Sequence, residues 1–496
     1  MNKQMIRYIL GQVLRIEGIL MLLPCVVAVI YREKEGYVIL GVAALCFFLG
    51  TAATIRKPES QVFYLKEGCV ATALSWIVMS VFGCLPFYLT GAIPSFVDAM
   101  FETISGFTTT GSSILTDVEA LAMSLNFWRC FTHWIGGMGV LVFLLAVIPL
   151  SGGSHINLMR AESPGPSVGK LVPKIRYTAR ILYIIYVGMT LVQIVLLLIG
   201  HMPLYDALTI TFGTAGTGGF AIKSDSISSY SPYLQWVITI FMILFGVNFN
   251  AYYLILFRKF KKAAAIEEVR YYFLVILAAT AFIAWSLCRS AMGFADALRH
   301  AAFQVGSIIT TTGFATTDFN LWSGSCKTVL VLLMFIGACA GSTGGGIKVS
   351  RFVLLIKTVK KELNSYIHPK SIKKIKVDGK PVEHEVVRST NVYFITFMIL
   401  FVLSVFLVSL EGKDLVTTFT EVATTINNVG PGLEQVGPMA NFAHLTNLSK
   451  IVLSFDMLAG RLELFPLLIL FHPSLWKDAV NQGVRRRKKE KNVQPV

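Results

Sequence analysis

Apolar runs long enough to cross a hydrocarbon core as a helix, which takes roughly 20 residues, recur along this chain between short polar segments. Clear examples are 181–200, 392–410 and 68–89. The pattern predicts ten membrane helices, at about 8–30, 37–55, 68–90, 127–150, 178–200, 233–257, 271–293, 327–355, 390–410 and 449–472. Four stretches lying between these spans, 90–126, 201–232, 294–326 and 411–448, are moderately apolar but too short and too rich in Thr, Ser and Gly to span. Irregular backbone at membrane depth is tolerated only where it lines a watery cavity, so such stretches suit re-entrant hairpins.

These four stretches repeat. The first reads DAMFETISGFTTTGSS from Asp98 and the second DALTITFGTAGTGGFA from Asp206. The third reads HAAFQVGSIITTTGFA from His300 and the fourth TTFTEVATTINNVGPG from Thr417. Each places a glycine thirteen residues after its first residue: Gly111, Gly219, Gly313 and Gly430, at intervals of 108, 94 and 117 residues. The unit is helix, short half-helix, Thr/Gly-rich turn, helix, four times over, and repeats of this kind decide the architecture. The expected fold is therefore an all-α polytopic membrane protein, with four helix, re-entrant loop, helix repeats in a pseudo-fourfold arrangement like that of a K⁺ channel. The units are 61–160, 161–265, 266–370 (with an interrupted second helix) and 371–475, preceded by a helix pair at 1–60 and followed by a basic tail at 476–496.

A dehydrated cation needs about the oxygen coordination that water gave it, and rings of backbone carbonyls supply this without a fixed charge that would trap the ion. Glycine accepts the dihedrals that turn successive carbonyls to one side. Each half-helix aims its negative C-terminal dipole end at the cavity, while Asp98 and Asp206 complement the positive ends of theirs. The expected ion ligands are Thr109, Thr110 and Gly111; Thr217, Gly218 and Gly219; Thr311, Thr312 and Gly313; and Asn428, Val429 and Gly430. No acidic residue occupies these turns.

Composition and charge sharpen the picture. Of 496 residues 54% are hydrophobic, mean hydropathy is +0.65, and only 15% are charged, against about 25% in soluble domains. The formal net charge is +16, but Lys and Arg gather at Arg56-Lys57, 155–180, 258–262 and 357–388, as the positive-inside rule requires. This favours a membrane over a nucleic acid and places both termini on the cytoplasmic side. The basic run 485–491 faces anionic lipid headgroups. The eight cysteines include no CxxC pair and mostly fall in apolar runs, as small buried hydrophobes do. The N-terminal apolar run has no small-residue cleavage site and reads as a retained helix.

The residues at 109–113, 217–219, 311–313 and 428–430 resemble the superfamily of K⁺ transporters that includes TrkH, KtrB and the plant HKT proteins. HWIGGMG at 133–139, GSTGGGIK at 341–348 and GRLE at 460–463 are similar to its patterns, and the N-terminal pair with RAESPGP at 160–166 favours the TrkH branch. The resemblance implies a K⁺ uptake permease of the bacterial inner membrane, a homodimer with one pore per subunit, and a cytosolic nucleotide-binding regulatory ring of the TrkA type. In relatives a Ser at the position of Gly111 accompanies Na⁺ permeation; here all four positions are Gly. Ser112-Ser113 after Gly111 departs mildly from the commonest form.

GSTGGGIK lacks the Gly-Lys-Ser/Thr succession of a phosphate-binding loop and follows an apolar helix, not a strand. It reads as a break in the eighth helix, and the family places a gate there: Gly341, Gly344, Gly345, Gly346 and Lys348, with Arg461 from the tenth helix. A mid-bilayer Arg needs partners. Arg461 is expected either to pair with Glu463 or Asp456 or to latch the glycine-rich break. His133 reads as packed or interfacial, Asn248 and Asn250 as interhelical or vestibular, and 357–388 as a solvated loop or a docking surface. No HExxH spacing or nucleophile elbow appears, so neither an enzyme nor a resident cofactor is expected. The rival readings are a weakly selective Na⁺/K⁺ permease and a Na⁺- or H⁺-coupled symporter.

Overall fold

The computed structural model describes residues 1–59, 64–137, 139, 175–370 and 374–475. The segment 160–166, the rest of the fourth predicted helix and the basic tail lie outside the described residues. Among those described, six helices are long and apolar enough to cross a membrane: Lys3–Tyr31, Glu35–Thr54, Leu65–Leu89, Ala179–Ile199, Glu267–Arg289 and His384–Ser409. A seventh span results if Pro232–Phe245 and Phe249–Leu256 are taken together. Their outer faces carry exposed Leu, Ile, Val and Phe, for example Leu274, Leu277, Ile399 and Phe406. Water would make such faces costly and lipid does not.

The first two spans form an antiparallel pair. Asn2 caps the first helix by accepting from Met5 N at 3.1 Å, and Arg32, with φ of 58°, turns the chain back. Small residues let the backbones approach: a β-carbon on Gly18 would lie 2.6 Å from the Ala43 carbonyl oxygen.

After this pair, the order long helix, short helix, irregular turn, helix recurs four times. The short helices are Phe96–Phe107, Leu204–Gly216, Phe294–Ile309 and Leu415–Ile426. Ser95 and Asp414 cap the first and fourth of these with their side-chain oxygens. The helices that follow are Met123–Gly137, Pro232–Phe245, Gly324–Ile336 and Asn447–Arg461. Each short helix packs against its own following helix and against that of a neighbouring repeat. The first packs on Met123–Gly137 and on Asn447–Arg461, so the arrangement closes on itself.

Two predicted spans are not continuous. The helix expected at 233–257 bends by 92° between Phe245 and Phe249. The one expected at 449–472 stops at Arg461, and after Glu463 and Leu464, both at positive φ, a short helix begins at Phe465. The interruption expected in 327–355 is present: Gly324–Ile336 ends at Gly337, and Val349–Ile367 begins twelve residues later. The regular secondary structure among the described residues is helical apart from one hairpin, Lys376–Val377 against Lys380–Pro381, which amends the all-α expectation. Its turn, Asp378-Gly379, has both residues at positive φ, as two-residue hairpins of this type require.

Candidate functional site: four turns and a broken helix

All four short helices end in the same cap. The N–H of Thr109 bonds Gly106 O at 3.1 Å and that of Thr110 bonds Ser105 O at 2.9 Å. The same two bonds recur from Thr217 and Gly218, from Thr311 and Thr312, and from Asn428 and Val429. This is the Schellman motif, which needs a left-handed residue just past the helix. Glycine usually takes that place; here Thr109, Thr217, Thr311 and Asn428 do, with φ of 55°, 54°, 60° and 55°. Two residues on, Gly111, Gly219, Gly313 and Gly430 are left-handed again, with φ of 84°, 80°, 87° and 101°. Thr110, Gly218, Thr312 and Val429, between them, are not. Backbone that alternates in hand turns successive carbonyls toward the same side, where a strand would alternate them.

The turns touch in a ring. A β-carbon on Gly111 would lie 2.0 Å from Gly218 O, and one on Gly219 2.0 Å from Thr312 O. One on Gly313 would lie 2.4 Å from Val429 O, and one on Gly430 2.7 Å from Thr110 O. Each glycine is thus pressed against the carbonyl before the glycine of the next turn, and the fourth closes onto the first. Among the described residues only one of the carbonyls at these positions accepts a hydrogen bond, that of Gly430, from Ser112 Oγ at 3.0 Å. Most of these residues are buried, with Gly111, Gly219 and Gly313 half-buried, and buried carbonyls without donors are rare. A ring of them offers oxygen to a ligand that is a cation rather than a hydrogen-bond donor.

The backing of the ring differs from turn to turn. Hydroxyl pairs Thr108–Thr110 and Thr310–Thr312, at 2.8 and 2.7 Å, stiffen the first and third. Asn428 Nδ2 donates to Thr110 Oγ1 and to Met457 O, both at 2.9 Å, tying the fourth turn to the first. Glu102 accepts from Arg129 Nε at 2.6 Å, Ser113 Oγ at 2.9 Å and Ile114 N at 2.8 Å. Arg129 also donates to Ala221 O at 2.9 Å and lies 3.6 Å from the centre of the Phe220 ring. Asp98 pairs with Lys450 at 2.6 Å, and Asp206 accepts from Tyr230 Oη at 2.8 Å.

Directly against the ring lies the break in the eighth helix. Gly345 N donates to Thr311 Oγ1 at 2.6 Å, and Gly346 N to Asn427 O at 2.9 Å. Gly341 O accepts from Phe249 N at 3.0 Å, at the bend of the sixth helix. Arg461 donates to Thr343 O at 2.9 Å and to the carbonyls of Gly136 and Gly137. Of its other candidate partners, Glu463 is paired with Arg351 and Asp456 accepts from Ser404 Oγ at 2.8 Å. Lys348, at φ of 85°, folds its ammonium back onto Gly344 O, so the charged group is held inside the loop.

Sequence reasoning missed Glu268. Buried at the start of Glu267–Arg289, it accepts from Ala340 N at 2.6 Å, Ser350 N at 3.2 Å and Asn248 Nδ2 at 3.2 Å. It therefore clamps both ends of the broken segment. Its signal was a carboxylate at the mouth of an apolar helix. Asn248 joins it there while capping Phe249–Leu256 through Asn250 N at 2.9 Å.

The family model described as TrkH, cation transport protein, matches residues 36–482. The chain is 33% identical over 486 residues to the Trk system potassium uptake protein TrkH of Halomonas elongata, covering 96% of this chain and 100% of that protein. It is 32% identical over 486 residues to the Trk system potassium uptake protein TrkG of Escherichia coli K12, covering 96% and 99%. It superposes on the crystal structure of the potassium transporter TrkH from Vibrio parahaemolyticus with a TM-score of 0.86 and 31% identity, covering 96% of this chain and 100% of that one.

Proposed function

The chain belongs to the TrkH family of cation transport proteins, and from that premise we propose that it is a K⁺-selective, channel-like uptake permease. Its ten membrane helices form a pseudo-fourfold pore from the units 61–160, 161–265, 266–370 and 371–475, with the four short helices and turns as re-entrant loops. The observation that carries this reading is the closed ring of carbonyls at 109–111, 217–219, 311–313 and 428–430, almost all without a hydrogen-bond donor. Neutral oxygens in a ring replace the hydration shell of a monovalent cation and release it again. The inside-negative potential supplies about 2.3 kcal/mol per charge per 100 mV, so uptake needs no hydrolysis by this chain.

Residues 341–348 act as the gate. They cross beneath the ring, held by Arg461, Glu268, Thr311 and Asn427, and the path opens when they swing aside. Closure is steric, assisted by the Lys348 ammonium, which keeps its charge while donating to Gly344 O and repels an approaching cation. A coupled symporter would need an ionisable relay at mid-membrane. Asp456, Arg461 and Glu463 instead bond to three separate partners, which favours the channel reading. By family resemblance the protein is a homodimer in the bacterial inner membrane, with both termini cytoplasmic. A TrkA-type ring sits beneath, and the basic hairpin at 376–381 serves as part of its docking surface. The hairpin is tethered to the third unit by Asp378 Oδ1, which accepts from Glu267 N at 2.8 Å.

The test is the reversal potential of the purified chain in liposomes under opposed K⁺ and Na⁺ gradients. A value near the K⁺ equilibrium potential is expected. One that follows both ions equally would establish the weakly selective alternative.

A further inference from the structure

The second turn is the odd one of the four. Where the others carry Thr108 and Thr110, Thr310 and Thr312, and Asn427 and Val429, it carries Gly216 and Gly218. Two side chains that would back the carbonyls are missing. The space is not empty. A β-carbon on Gly218 would fall 2.3 Å from Cγ of His133, and one on Gly216 2.1 Å from the His133 carbonyl oxygen. His133 reaches there from the first unit's following helix, is fully buried, and lies 4.2 Å from the Phe220 ring, centre to centre.

Its two ring nitrogens are both engaged. Nδ1 is 2.7 Å from Gly106 O, the carbonyl to which Thr109 N also bonds at the end of the first short helix. Nε2 is 3.1 Å from Phe220 N, the residue after Gly219. A carbonyl only accepts and a backbone N–H only donates, so Nδ1 carries the proton and Nε2 is the acceptor. One neutral imidazole therefore joins the helix that ends in the first turn to the exit of the second, and it fills the side-chain space that Gly218 leaves.

We propose that His133 is a specificity-determining positioning residue, standing in for the absent side chain of the second turn and fixing its carbonyls against those of the first. This rests on the reading of the turns as the selectivity filter. The glycines at 216 and 218 and the histidine at 133 are then one device written in two places: neither works without the other.

The experiment measures K⁺/Na⁺ permeability ratios of the full chain in liposomes for H133N, H133G, the double variant H133G/G218T, and G313S as a control in a turn His133 does not touch. Asparagine keeps a donor near Gly106 but cannot reach Phe220. H133N is expected to lower the ratio about threefold or more, the scale of one net hydrogen bond. H133G should lower it further, and G218T on that background should restore part of the loss, because the threonine occupies the vacated space. If G313S lowers the ratio while H133N and H133G, reconstituted at wild-type levels, leave it unchanged, His133 is packing and no more. If G313S also has no effect, the filter reading is what fails. Should the single variants not fold, recovery of folded, selective protein in the double variant supports the proposal, and failure to recover overturns it.

Discussion

A serine at Gly111 must hold φ near 84°, which costs an L-residue about 1–2 kcal/mol. Its β-carbon must also push the Gly218 carbonyl out of a gap of 2.0 Å. The protein can absorb this only by moving a carbonyl of the neighbouring turn. G111S and G313S are therefore expected to fold, reconstitute, and show a lower K⁺/Na⁺ permeability ratio; unchanged ratios in both would remove these turns from the ion path. Asn428 makes a different prediction. Alanine there loses the bonds to Thr110 and Met457 and sits in a left-handed site that asparagine tolerates better. N428A should lose on the order of 2 kcal/mol or more of stability, read as a lower thermal midpoint in detergent. The four aligned glycines were legible in the sequence because their backbone excludes other residues. The left-handed threonines two positions earlier were not, since nothing in a threonine marks it for that conformation. The cap that imposes it is made of backbone.

At the scale of elements, the broken eighth helix showed itself through four glycines within six residues. The bend of the sixth was also written, more faintly, as Gly246 closing one helix and Asn248 capping the next. In the tenth, Pro466 in the first turn of Phe465–Leu468 was the mark. Hydropathy hid both, because the residues flanking each break are as apolar as a continuous span. The loop's anchors define its tests. R461A removes donors to Thr343 and to the Gly136–Gly137 carbonyls, and deletion of 344–346 shortens the proposed obstruction. Each should raise ⁸⁶Rb⁺ uptake into liposomes holding this chain alone. E268A, which frees Ala340 and Ser350 together, should do so as well, by less, because Arg461, Thr311 and Asn427 still hold the middle of the loop. Uptake no faster than wild type in all three, at equal reconstitution, would mean that 341–348 does not obstruct the path.

For the whole molecule, the count of repeats could be read from spacing, but not their closure. The contact of Phe96–Phe107 with Asn447–Arg461 joins residues more than three hundred positions apart, and no local pattern encodes such a pair. The closure has a consequence for inheritance. A pore assembled from four copies of one polypeptide receives every substitution four times at once, so a change at its centre is all or nothing. In the pore proposed for this chain, one codon alters one wall. The four walls have already diverged, to threonine pairs, to glycines with a borrowed imidazole, and to asparagine with valine. Serine added at Gly111 and then at Gly313, which stand in non-adjacent turns and press on different neighbours, should lower the permeability ratio in two steps of similar factor, as sites without a shared partner do. Ion preference in such a chain is adjustable by quarters.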